Sequence, residues 1–159
     1  MGESPVAASS WVVFTALRSY RLTPSHMHLT LTARREALVP AHAALRAFLS
    51  QHDLKEERFF QIELVTEEVL MNIVWHATSA GETAEMTLDA FFEARTLVLE
   101  FGDSGPPFDP TQAPAVQLPT DLDNASPGGL GRVLVKKFAG ALAYRREDGR
   151  NLLTVRFPG

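Results

Sequence analysis

The sequence predicts an α/β (α+β) two-layer sandwich, a mixed, mostly antiparallel sheet covered on one face by about three helices. Three observations carry that prediction. Ile62–Ala77 is long, free of Gly and Pro and apolar around most of its circumference, so it reads as a helix central to a core. Two pairs of strand-like segments are each joined by a short polar turn. The elements follow the order helix, helix, hairpin, long loop, helix, hairpin.

Taken in order, residues 1–26 show little periodicity and are rich in Ser, Pro and Ala, the composition of a loosely attached leader with at most a short strand through Val12–Ala16. His28–Ala33 alternates apolar with small polar residues and reads as a strand. A helix opens near Pro40, repeats Ala41, Ala44, Leu45, Phe48 and Leu49 at helical spacing, and ends around His52. Asp53 is placed to cap the central helix. Ser79-Ala80-Gly81 breaks that helix. Glu85–Phe92 and Thr96–Gly102 form a hairpin around Glu93–Arg95. A stretch of roughly twenty residues without period then reaches Pro127. So long a structureless loop in a compact domain reads as a functional lid, at about 106–128. Gly128-Gly129-Leu130-Gly131 opens a helix running to about Ala139. Leu142–Arg146 and Leu152–Phe157 close the chain as a hairpin on Asp148-Gly149. Residues 27–159 read as one domain without repeats.

Composition narrows the classes. A chain of 159 residues buries a proper core without staples, and with no cysteine it has neither disulfides nor thiolate metal ligands. The five histidines show no ligand spacing beside carboxylates, which argues against zinc. Trp11–Leu17 is too short to span a membrane and lacks the charged flank of a secretory signal, so a soluble, cytoplasmic protein is expected. Net charge is −4, with fifteen Asp/Glu against three Lys/Arg in residues 53–123 and seven Lys/Arg against two Asp/Glu in 129–159. Overall acidity argues against direct nucleic-acid binding, while the basic end suits a small anion or an acidic partner.

Three polar features stand out. Glu68, Asn72 and His76 recur every four residues, one row along the central helix with neighbours about 6 Å apart. Glu67 points away from that row. A carboxylate, an amide and an imidazole on an oily helix are costly unless something polar faces them, although a solvent-facing stripe would serve as well. A glycine-rich turn running into a helix presents free N–H groups and a favourable dipole to anions, with Arg132 and Lys136 adding positive charge. By itself such a turn is more often an ordinary tight turn than a phosphate site. Asp103 stands where a strand runs out into a glycine loop, a place for a binding carboxylate or a turn former.

Glu68-x-x-x-Asn72-x-x-x-His76-Ala77, Asp103-x-Gly105-x-x-Phe108 and Gly129-x-Gly131 resemble the asparagine box and the two glycine boxes of the GHKL ATPase superfamily, which includes histidine-kinase catalytic domains and gyrase. The small size and the Asp-Ser-Gly-Pro-Pro-Phe-Asp-Pro wording are most similar to the anti-sigma-factor serine/threonine kinases of bacterial partner switching. The resemblance covers about residues 28–157 and implies a Bergerat-type ATP-binding fold with ATP and Mg2+ as cofactors. It implies Asn72 as the one direct Mg2+ ligand and Glu68 as the group that aligns or deprotonates the attacking hydroxyl. His76 would lie near the phosphates or pin the lid; its plainer role is to cap helix-end carbonyls. Asp103 would accept from the adenine amino group, Gly105 would admit the base beside Phe108, and Gly129, Leu130 and Gly131 would wrap the phosphates.

Two departures are visible. Arg132 replaces the usual apolar residue after the second glycine box, as a phosphate or partner contact or the sign of a weakened pocket. Asn151 aligns where a Thr is common on the last strand. The implied function is an ATP- and Mg2+-dependent protein serine kinase that phosphorylates a STAS-domain anti-anti-sigma protein and sequesters a sigma factor or other regulator. A homodimer through residues around 28–50 goes with it. The other readings are a nucleotide-gated binding module without kinase activity and a detached histidine-kinase catalytic domain.

Overall fold

The structure is a computed structural model and describes residues 16–79, 83–112 and 129–159. Strands β1 (Leu17–Leu22) and β2 (His26–Thr32) lead through a 3-10 turn to α1 (Leu38–Leu49) and α2 (Glu56–Ser79). β3 (Glu85–Glu93), β4 (Thr96–Asp103), a 3-10 turn at Pro110–Gln112, α3 (Gly129–Phe138), β5 (Ala141–Glu147) and β6 (Arg150–Phe157) complete the order. The six strands form one sheet, β1-β2-β3-β4-β6-β5, and every neighbouring pair is antiparallel. Among the described residues no helix is long and apolar enough to cross a membrane.

Alternation decides which face of the sheet is covered. Met27, Leu29 and Leu31 of β2, Met86, Leu88 and Ala90 of β3, and Leu153, Val155 and Phe157 of β6 are buried against the helices. They meet Leu45, Phe48 and Leu49 of α1 and Ile62, Val65, Val69 and Leu70 of α2 in one continuous core. The opposite face carries ion pairs in place of helices: Arg150–Glu85 at 3.2 Å, Arg145–Glu100 at 3.1 Å and Arg156–Glu93 at 2.6 Å. Exposed pairs of this kind contribute about 0–1 kcal/mol each, so they keep that face wet more than they hold the fold. Arg58 links the two halves of the helix layer. Its guanidinium donates to Phe138 O at the end of α3 and to Pro158 O, and lies over the Phe157 ring.

Several boundaries differ from the sequence reading. Residues 17–22, read as leader, form edge strand β1; Ala16 is the first described residue, and 1–15 lie outside the described residues with most of the strand expected at Val12–Ala16. α2 starts at Glu56, so Asp53 lies too early to cap it; Lys55 O accepts from Phe59 N in its first turn. The helix is also less enclosed than its composition suggests, with Phe60 62% and Trp75 46% exposed, because a two-layer sandwich leaves the far side of its helices to water. Both hairpins turn where expected. Asp148 (φ 50°) and Gly149 (φ 75°) adopt the left-handed pair that a two-residue hairpin needs.

Leu88→Ala removes a fully enclosed side chain from the centre of the sheet. It should lower stability by about 2–5 kcal/mol in urea titrations. Val39→Ala, at a site 60% exposed, should stay within about 0.5 kcal/mol.

Candidate functional site

One cleft collects most of the polar features that the sequence singles out. It lies between α2, the outer part of β4, α3 and the β5–β6 hairpin and is open to solvent at its mouth. α2 brings Asn72 and His76, β4 brings Asp103, the loop after it brings Phe108, and β6 brings Asn151. Asn72 and Asp103 therefore open onto the same space. Its floor is apolar, with Val69 and Ile73 from α2, Phe101, Leu142 and Leu153 from the sheet, and Val135 from α3. An oily slot with a few convergent polar groups is the usual form of a small-molecule site.

The polar end near β4 is built on a cross-strand pair. Asp103 and Asn151 face each other in the β4–β6 register. Asn151, 6% exposed, donates from Nδ2 to Asp103 Oδ1 (3.0 Å) and to Pro106 O (2.8 Å). Its Oδ1 accepts from Tyr144 Oη (2.7 Å), Arg146 Nη1 (2.9 Å) and Phe108 N (3.3 Å). Asp103 Oδ1 also accepts from Gly105 N at 2.9 Å. One carboxylate oxygen thus holds the loop, and a ligand donor would meet the other. Gly105 suits this arrangement: a Cβ there would come 2.9 Å from that same Oδ1, which would have to shift. Gly102 is tighter still, with a Cβ position 2.5 Å from Thr87 Oγ1.

At the other end, the His76 ring packs on Phe108 with centroids 4.0 Å apart. That contact pins the start of the loop to α2. Lys136, one turn beyond the glycine-rich start of α3, also lines the cleft and brings a cation to it. α3 begins at Gly129, so Gly129, Leu130, Gly131 and Arg132 occupy its first turn. The side chains of Leu130 and Arg132, and residues 113–128 of the expected lid, lie outside the described residues.

Glu68 stands apart from the cleft lining, half-exposed one turn before Asn72. Burial pushes its carboxyl above the ordinary carboxylate value, and the adjacent Glu67 adds to the rise. Glu67 lines a different groove, between α1 and α2, as its position off the row requires. The residues that sequence reasoning passed over are the apolar floor and Tyr144. A hydrophobic strand residue bounding a slot has the same local pattern as one filling a core.

This is the architecture of a nucleotide-binding α+β domain. Residues 31–157 match the histidine kinase-like ATPase domain, and the chain belongs to that family. ATP binding goes with it. The serine/threonine-protein kinase BtrW of Bordetella bronchiseptica is 42% identical over 96 residues, 60% of this chain and 68% of the relative. A chain of the SiaB–SiaC complex from Pseudomonas aeruginosa shares the fold, with a TM-score of 0.54, 16% identity and 99% of each chain covered. The histidine kinase domain of a blue-light activated histidine kinase from Erythrobacter litoralis overlays with a TM-score of 0.48 at 17% identity; 80% of this chain is covered, and it spans 61% of that domain.

Asn151→Ala would leave Tyr144 Oη, Arg146 and Phe108 N without their shared acceptor. An expected loss of about 1–3 kcal/mol follows from groups left unsatisfied. Denaturant titration measures it, and faster hydrogen exchange at the Gly105 and Phe108 amides should accompany it.

Proposed function

We propose that the chain is a protein serine kinase and a regulatory switch, with the cleft as its ATP site. The observation that carries this reading is the convergence of Asn72 and Asp103 on one apolar slot, supported by likeness to a serine/threonine kinase. The purine lies on the apolar floor, and its amino group donates to the free oxygen of Asp103. The triphosphate runs toward Asn72, Lys136 and the first turn of α3, where helix N–H groups favour anions. Asn72 would hold Mg2+, an ion that needs few protein ligands and would supply charge neutralisation for the transferring phosphoryl group. A single amide oxygen is a suitable donor for such a partly hydrated ion. Glu68 takes the proton of the incoming serine hydroxyl as the new O–P bond forms and the bond to the β-phosphate bridging oxygen breaks, releasing ADP.

The protein substrate is a small STAS-class antagonist, and the unphosphorylated switch holds a sigma factor or other regulator. Phosphate on the antagonist's serine repels the acidic middle of this chain and aids release. A homodimer fits the family resemblance, with a restriction on its surface. β2 is hydrogen-bonded on both edges, so in the 28–50 region α1 and the outward side chains of β2 are what remains for a second copy. A nucleotide-gated binder without kinase activity is the second reading, and the position of Glu68 outside the cleft lining favours it.

Labelled ATP, Mg2+ and a genomically neighbouring STAS protein decide between the two. Glu68→Ala should cut transfer by about 10²–10⁴-fold and leave ATP affinity nearly unchanged. Tight ATP binding with no transfer by the unmodified protein would overturn the kinase reading. Asp103→Asn keeps an oxygen for the Gly105 amide and turns a donor toward the base. ATP affinity should fall and the preference for ATP over GTP should shrink, read by calorimetry.

Glu68 works only when deprotonated, and its raised pKa means that transfer is lost on acidification at a higher pH than an ordinary carboxylate would give. Glu67→Gln removes the neighbouring negative charge, so the acid limb of the pH–rate profile should move to lower pH.

A further inference from the structure

The outward face of α2 is the least explained surface of the molecule. Phe60, Leu64, Met71 and Trp75 follow one another at spacings of four, seven and four, which sets them on one stripe facing away from the sheet. Phe60 is 62% and Trp75 46% exposed, while Leu64 and Met71 are half-buried. Of the four large hydrophobic residues most exposed among the described residues, three (Val39, Phe60 and Trp75) are on the helix layer. Single exposed apolar residues are ordinary, but a row of partly exposed ones at helical spacing has the form of a contact surface. A groove continues the stripe sideways to α1, floored by Ala43 and Leu64 and walled by His42, Arg46 and Glu63.

Charge says what kind of cover. Glu56, Glu57 and Glu67 border the stripe, all exposed, and none is in an ion pair among the described residues. Arg46, the one cation of the groove, is already forked onto Glu63. Among the described residues these three carboxylates outnumber the one exposed, unpaired cation beside them, Lys55, so the border is net negative. Two such faces would repel each other, which disfavours a second copy, and an anionic lipid surface would be repelled for the same reason. From Phe60 to Trp75 is about 22 Å of helix, the length of a partner helix of some four turns.

We propose that this face of α2 docks a protein partner through an amphipathic helix whose apolar stripe is flanked by Lys and Arg. The partner's apolar side chains cover Phe60, Leu64 and Trp75, and its cations answer Glu57 and Glu67. This is helix-in-groove recognition, with the anchors repeating every three or four residues. The surface is independent of nucleotide chemistry, although Glu68 lies at its border and brings a docked partner beside the mouth of the cleft.

The test uses the full chain with Trp11→Phe, so that Trp75 is the sole indole. The probes are a synthetic peptide of about 16 residues with a Leu stripe and Lys flanks, the same residues in permuted order, and the same stripe with Glu flanks. Saturable binding of the first alone, with a blue shift of Trp75 emission, is expected. Phe60→Ser should weaken it by about tenfold or more, as loss of an anchor does, while ATP binding stays unchanged and reports an intact fold. Replacing both Glu57 and Glu67 by Gln should flatten the salt dependence. Equal binding of the permuted or Glu-flanked peptide, no binding at all, or indifference to Phe60→Ser would overturn the proposal. So would Trp75 emission already blue-shifted and shielded from acrylamide in the free chain, or self-association through this face by sedimentation.

Discussion

The cleft depends on one pair of side chains, Asp103 and Asn151, facing each other across β4 and β6. A buried amide is tolerable only when its donors and acceptor are answered. Asn151 meets that condition by binding Asp103, two points of the following loop, a tyrosine and an arginine. The same bonds that make the amide affordable fix where the Asp103 carboxylate points. Loop shape, carboxylate orientation and the end of the slot are thus one hydrogen-bonded unit, and a change in any member reaches the others.

α2 divides the molecule's work between its faces. One side fills the core with Ile62, Val65, Val69 and Leu70. A second lends Asn72 and His76 to the cleft. A third stays in water and carries Phe60 and Trp75 beside glutamates. A thinner helix layer could not do this, and a third layer would bury the last face. The open sheet face, by contrast, is occupied with its own pairs, from the His26–Asp89–His28 cluster to Arg145–Glu100.

Much of this was legible from the residues. α2 declared itself by length and the lack of Gly and Pro, the last hairpin by Asp148-Gly149, and the grouping of Asn72, His76, Asp103 and Phe108 by the resemblance of two motifs. What stayed hidden has physical causes. β1 alternates weakly, Leu-Arg-Ser-Tyr-Arg-Leu, because an edge strand buries little and needs few apolar residues. Asn151 looked like a replacement for a threonine, and its five-bond role exists only once β4, β5 and β6 are side by side. The apolar arc of α2 looked uniformly internal, since periodicity reports which residues are oily but not how many layers surround them. The distance of Glu68 from the slot is likewise a matter of how α2 is rolled, which spacing alone leaves open.

Arg58 fastens only one end of α3. Its bond to Phe138 O, and that of Gly140 N to Arg156 O, tether the C-terminal end to the body of the sandwich. The first turn lies about 14 Å further along the helix axis, and Val135 between the two is held in the core. The anchor of the helix that opens on the glycines is thus a guanidinium that belongs to the neighbouring helix.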